Sequence, residues 1–146
     1  MKKGQFSRDW SLLKLARTWE PRDIGGEVIE RVLREGAPEA VMDILHVIRD
    51  IGFEDGEKAK ERMPPFMQPA EILESTLLVA GVQMEREEEG SGEDGLVITV
   101  HLDETGLFDY PFTMAEPAAA YVAGFVQAVA GAATVSRSGN FLLIHF

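Results

Sequence analysis

The chain has 146 residues, 14 basic and 25 acidic side chains, a formal net charge of −11 and no cysteine. The absence of cysteine excludes a disulfide framework, a Cys-ligated zinc site, an iron–sulfur cluster and thiol catalysis. A surface this acidic repels phosphate backbones and anionic lipid, so we expect neither nucleic acid nor a membrane as a partner. The length and composition are those of one cytoplasmic globular domain.

Four helices are predicted in the first half of the chain. Apolar residues recur at helical spacing over 6–19, over 24–34, from Pro38 to the Pro64-Pro65 pair, and over 69–80. In the long third helix, Gly52 and Gly56 lie on one face, and each destabilises a helix by about 1 kcal/mol relative to Ala. This pattern indicates either that another backbone approaches the two glycines closely or that the helix breaks there.

The hydrophobic period changes after Gly81. Apolar and polar residues alternate over 82–85 and again over 96–103, which predicts two half-buried strands. The Glu- and Gly-rich segment 86–95 between them is interpreted as a mobile hairpin loop. An apolar helix then runs from about residue 116 to 130, and strands follow over 133–137 and 141–146. Helices first, then strand–strand–helix–strand–strand, predict an α+β fold with an antiparallel sheet.

Few residues point to chemistry. The three histidines, His46, His101 and His145, are scattered, and neither an HExxH motif nor a phosphate-binding loop is present. His101 and Asp103 could form half of a metal site, but a complete site needs at least three ligands. We therefore predict no metal and no catalytic residue.

Two apolar features remain open to two interpretations. Tyr121 and Phe125 stand among the Ala and Gly residues of the last helix, where they either fill the core or line a gap. The connection over 63–69 contains two Met, one Phe and three Pro residues. It is either a loop packed on the core or the rim of an apolar cavity, since Met adapts to irregular apolar surfaces.

Several stretches resemble the 4-vinyl-reductase-type (hydrocarbon-binding) domain family. They are the glycine-bearing helix around 51–60, the join over 77–85 where a helix ends at Gly81 and a strand begins, and the helix over 117–131. In that last helix Tyr121, Gly124 and Phe125 match a small-x-x-G-F/Y pattern. A strand–Gly–strand unit ending at Phe146 completes the resemblance, which covers 36–146.

The resemblance implies an α+β domain over 36–146, preceded by an N-terminal helical segment over 1–35, with helices on one side of a four-stranded antiparallel sheet. It also implies a homodimer that binds small apolar, aromatic or tetrapyrrole-like molecules, often as the input to a regulator. The family is related to subunits of the vesicle-tethering TRAPP complexes and to the haem nitric-oxide-binding domain. Many members bind zinc through Cys residues, but this chain has 117–119 and 136–140 without Cys at the matching places, so that site is absent.

We therefore expect a stand-alone sensory or regulatory domain that binds a small apolar molecule and acts through a separate regulatory protein. The cavity is expected between the last helix, the sheet and the 63–69 connection. The residues predicted to line it are Phe66, Phe112, Met114, Tyr121 and Phe125. Two alternatives stay open. One is a structural or scaffold interaction protein with a solid core, and the other is a reductase of the tetrapyrrole type, which would need a bound cofactor.

Overall fold

Five helices and four strands make up the part of the chain that the computed structural model describes, which is residues 3–18, 24–88, 95–105 and 115–146. The helices are α1 (Lys3–Thr18), α2 (Ile24–Glu35), α3 (Pro38–Arg62), α4 (Pro69–Val79) and α5 (Ala115–Val129). The strands are β1 (Val82–Glu88), β2 (Leu96–Thr105), β3 (Thr134–Ser138) and β4 (Phe141–His145). The predicted α+β class and element order are confirmed.

The strands form one antiparallel sheet in the order β1-β2-β4-β3. Ile98 of β2 pairs with Ile144 of β4, and both side chains are fully buried on the face that the helices cover. Thr99, one residue further, pairs with Leu143 on the opposite face, where both are only partly buried. The alternation read from the sequence therefore reports a sheet with helices on one side.

Helix α3 crosses α5 at unusually close range. A Cβ atom placed on Gly52 would overlap the carbonyl oxygen of Tyr121, and one placed on Gly124 would overlap the carbonyl oxygen of Arg49. At Gly56 an added Cβ would lie 2.7 Å from the Cβ of Ala128. The prediction of a close backbone approach at the two α3 glycines is thus confirmed, and α5 is the helix that approaches. A break is excluded, because α3 is continuous over Pro38–Arg62.

The boundary of β1 corrects one expectation. Residues 86–88, expected in a mobile loop, belong to β1, where Arg86 pairs with Ile98 and Glu88 with Leu96. Pairing with β2 satisfies their backbone groups, and the Arg86 side chain is held by two glutamates, so a charged sequence still forms a strand. Residues 89–94 of the expected loop lie outside the described residues, and Gly95, its last residue, is in a turn before β2.

The N-terminal helices are covered least. Every described side chain of α1, from residue 7 to residue 18, is exposed, whereas α2 contacts α3 and the side chain of its Leu33 is buried. Within the described ranges, no helix combines the length and the apolar character that crossing a bilayer requires.

Candidate functional site

The five residues predicted to line a cavity do not share one environment. Phe125 is buried in the core at 4% exposure, and Tyr121 is half-buried beside it, with ring centroids 6.3 Å apart and planes at 29°. Phe66 is 80% exposed in the turn after α3. Phe112 and Met114 lie outside the described residues. The structure therefore brings Tyr121 and Phe125 together, does not bring Phe66 into the core with them, and leaves the shared lining a prediction.

The hydroxyl of Tyr121 already has a protein partner. It donates a hydrogen bond of 2.8 Å to Oδ2 of Asp55 on α3, and Oδ1 of Asp55 lies 3.7 Å from Nζ of Lys58. Burial, and then the bond to the Asp55 carboxylate, raise the pKa of Tyr121 well above its ordinary value. The phenol is therefore a neutral donor that fastens α5 to α3. Among the described residues it is not aimed into an empty space.

An apolar cleft of about 280 Å³ opens at the carboxyl end of α5. Its walls come from the end of this helix, the turn after it, the first residue of α4 and the end of the chain's last strand. The lining residues are Pro69, Val129, Ala130, Gly131, Ala132, Ala133 and Phe146. The cleft thus lies where the last helix, the sheet and the 63–69 connection meet, but none of the five residues predicted from the sequence lines it.

Local hydrogen bonds fix each wall of the cleft. The amide of Ala130 donates to the Val126 carbonyl at 2.7 Å, and that of Ala133 donates to the Ala130 carbonyl at 2.9 Å, so the chain turns tightly after α5. The amide of Phe146 donates to the Leu96 carbonyl at 3.0 Å, which places its ring beside the sheet. Pro69 is the first residue of α4 and is held by a capping box between Gln68 and Glu71.

The chemistry of the cleft favours binding. None of the seven described lining residues carries an ionisable side chain, and the walls are aliphatic, prolyl and aromatic. The carboxyl end of a helix carries a partial negative charge, since its last carbonyl groups lack partners within the helix. The only sequence signal for this site was the run of small residues from Ala130 to Ala133, which leaves space that larger side chains would fill.

The structure shows what surrounds His101, the histidine considered above as part of a metal site. On the uncovered face of the sheet, Nε2 of His101 lies 3.5 Å from Oε1 of Glu85, and its ring meets Phe141 edge-on at 5.0 Å between centroids. Across the described ranges, no three His, Asp or Glu side chains converge as a metal site would require.

No protein-family model, no curated protein and no solved structure matches this chain. The resemblance to 4-vinyl-reductase-type domains therefore stays a prediction. What can be inferred about function comes from the cleft, the helix crossing and the charge distribution of the chain itself.

Proposed function

We propose that this chain is a small-molecule-binding domain that takes a compact apolar molecule in the cleft at the carboxyl end of α5. The observation that supports this is the lining itself. Side chains of Val129, Pro69 and Phe146 surround a space kept open by four consecutive small residues, 130–133. Apolar concave sites with a few polar groups at the rim are the usual form of ligand sites in proteins.

The size of the cleft favours a small ligand. Its volume of about 280 Å³ is just below the range of roughly 300–1,000 Å³ that ligand sites usually occupy. An apolar cavity of about 150 Å³ is enough to bind benzene. A one- or two-ring aromatic molecule therefore suits the cleft better than a tetrapyrrole, which was the larger ligand class expected from the resemblance.

Electrostatics favours a ligand with a donor or a positive charge. The negative end of the α5 dipole lies at the cleft, with Nζ of Lys60 donating to the Ala128 carbonyl at 3.5 Å, and the chain as a whole carries a net charge of −11. An aromatic amine is expected to bind more tightly than the corresponding carboxylate. Because no lining side chain can act as an acid or a base, the role is one of binding, in a sensory or regulatory module, rather than catalysis.

The test is thermal unfolding in the presence of indole, tryptamine, indole-3-acetate and a porphyrin. A bound ligand stabilises the folded state by RT ln(1 + [L]/Kd), about 2.7 kcal/mol at a hundredfold excess over Kd. Tryptamine is expected to raise the melting temperature most, and the porphyrin not at all. Ala132→Leu should fill the cleft and abolish the tryptamine effect.

The matched control is Ala37→Leu, which adds the same side chain to another exposed alanine, in the connection between α2 and α3. It should leave the response to tryptamine intact. Equal loss in both variants, or no stabilisation of the original protein by any of the four compounds, would overturn the proposal.

A second candidate function is that of a structural or scaffold interaction protein. The filled crossing of α3 and α5 supports it, because the small residues Gly52, Gly56 and Gly124 there serve helix packing and leave no room for a ligand. The same experiment separates the two functions. A scaffold would show no ligand-induced stabilisation, and Ala132→Leu would then behave like Ala37→Leu.

A further inference from the structure

A groove runs between α4 and β1, away from the cleft described above. It is lined by Glu74, Ser75 and Leu78 of the helix and by Met84, Glu85 and Arg86 of the strand, and its volume is about 300 Å³. Leu78 is 67% exposed, and Met84 beside it is half-buried. The lining therefore combines two apolar side chains, Leu78 and Met84, with three charged ones.

One wall of this groove is a sheet edge. Among the described residues, β1 pairs only with β2, so its outer backbone N–H and C=O groups have no neighbouring strand. The pairing is irregular between Val82 and Met84 and regular from Met84 to Glu88. These five residues offer a straight edge, and an edge strand beside a helix is the geometry in which an extended peptide adds to a sheet.

The charges at the groove select the partner. The guanidinium of Arg86 lies 2.9 Å from Oε2 of Glu74 and 2.6 Å from Oε1 of Glu88, and Glu85 and Glu87 add two more carboxylates on the other face of the strand. No other basic residue occurs in α4 or β1. The region is strongly negative, so a second copy pairing through its own β1 would bring glutamates against glutamates.

The two faces of β1 define a sequence pattern for the partner. Met84 and Arg86 point to the helix-covered face, as their partners Val100 and Ile98 do, whereas Glu85 and Glu87 point to the open face. Neighbouring strands place their side chains on the same two faces in step. On the open face, Glu85 and Glu87 would meet basic side chains, and on the helix face Met84 and Leu78 would meet an apolar one.

We propose that the edge of β1 beside α4 docks an extended peptide segment of another protein in which basic and apolar residues alternate. The backbone of Met84–Glu88 supplies hydrogen bonds to this segment, Leu78 and Met84 receive its apolar side chains, and Glu85 and Glu87 receive its Lys or Arg side chains. This surface is separate from the ligand cleft and does not depend on it.

The test uses the full chain and a fluorescent Lys-Leu-Lys-Val-Lys peptide, followed by anisotropy. The matched peptide Glu-Leu-Glu-Val-Glu should not bind, and binding of the basic peptide should weaken as salt is raised. Only one edge of an added strand faces β1. We therefore compare two modified peptides, one N-methylated at its Lys residues and the other N-methylated at its apolar residues. One of them loses the N–H groups that face β1 and should not bind, whereas the other keeps those groups and should bind.

Variants of the protein locate the site. Leu78→Asp should weaken binding by about tenfold or more, whereas Val79→Asp should change it by less than about twofold, because Val79 is 89% exposed and does not line the groove. Reversing both Glu85 and Glu87 to Lys should abolish binding. Changing Glu54 and Glu61 of α3 to Lys makes the same change in net charge away from the groove. This control protein should keep most of its binding to the basic peptide.

Three results would overturn the proposal. They are equal binding of both N-methylated peptides, equal losses in the two charge-reversed proteins, and equal losses in Leu78→Asp and Val79→Asp. Self-association of the protein that Leu78→Asp abolishes would assign the groove to a second copy instead.

Discussion

The side chain of Tyr121 links α5 to α3 through one hydrogen bond. Its ring packs beside Phe125, while its hydroxyl reaches Asp55, 66 positions earlier in the chain, at 2.8 Å. The raised pKa of the phenol keeps it protonated as the donor of this bond. The bond joins α5 to α3 at the same crossing where Gly52 and Gly124 allow the two backbones to approach closely.

Tyr121→Phe tests this bond. We expect the free energy of unfolding near pH 7 to fall by about 1 kcal/mol, the usual net value of one hydrogen bond. The pKa of Tyr121 is raised in the folded state, so the stabilisation is fully present below the ordinary tyrosine pKa of about 10 and is lost as the pH rises above it. Urea unfolding of both proteins should show their difference shrinking between about pH 9 and pH 11. A difference that stays constant over this range would contradict the assignment.

A second residue-scale prediction concerns Gly52. Gly52→Ala would place a methyl group against the backbone of Tyr121, so the helices must separate, and we expect a loss of about 1–3 kcal/mol in the free energy of unfolding. Gly25→Ala, at an exposed position of α2, is the control. Ala is the better helix former by about 1 kcal/mol, so this variant should be neutral or stabilised. Equal urea midpoints for the two variants would show that α3 and α5 do not pack as described.

At the scale of elements, α5 is the centre of the molecule. One side of it packs on the buried face of the sheet through residues such as Val122 and Val126, and its small residues lie against α3. A helix covered on two sides has no room for a polar stripe, which explains why α5 is apolar nearly all round. The small residues on the side of α5 that faces α3 are therefore needed for helix packing. The open cleft lies beyond the carboxyl end of α5.

Ala128→Leu tests this arrangement. Ala128 is buried, and its Cβ lies 2.7 Å from where a Cβ on Gly56 would stand, so a larger side chain overpacks the crossing. We expect a loss of about 1–3 kcal/mol in the free energy of unfolding. Ala37→Leu makes the same change at an exposed position outside the crossing and should shift it by less than about 0.5 kcal/mol. Thermal and urea unfolding of the two variants give the comparison, and a tolerated Ala128→Leu would indicate space beside α5 after all.

At the scale of the whole molecule, several surfaces remain uncovered among the described residues. They include the open face of the sheet, the outer edges of β1 and β3, the α3 side chains Met42, Val47 and Ile51, and α1, in which Trp10, Leu12, Leu13 and Leu15 are each about half-exposed. The face with Gly52 and Gly56 is not among them, because α5 covers it. The dimer expected from the resemblance must therefore use another surface.

We expect that surface to include α1, since this helix exposes four large apolar side chains and none of its described side chains is buried. Light scattering should give a mass near twice 16.1 kDa for the full chain and a monomer for a variant without residues 1–22. The melting temperature of the shortened domain, measured where both are monomeric, should be nearly unchanged, because no described side chain of α1 is buried. A monomeric full chain across the micromolar range would end the dimer prediction.

Most of the secondary structure outside 86–88 was decided locally and could be read from the sequence. Pro38, Gly36 and the Pro64-Pro65 pair mark helix ends because proline and glycine restrict or free the backbone at their own positions. The alternation over 96–103 identifies the buried face of β2 because side chains in a strand point to opposite faces in turn. The unfavourable glycines of α3 limited the interpretation to a close backbone approach or a helix break at Gly52 and Gly56, and the structure decided for the approach.

Contacts between distant segments were decided only by the tertiary structure. The sequence contained Tyr121 and Asp55 but not their bond, and the glycines of α3 but not the identity of α5 as their partner. Both depend on which faces meet when the helices pack on the sheet. The cleft beside Phe146 likewise forms where the end of a helix, the end of the last strand and Pro69 come together. These segments are distant in the sequence, so its lining residues could not be predicted from local patterns. Segment 86–88 became a strand against its charged composition because β2 supplied backbone partners, which stabilise a strand whatever its side chains prefer.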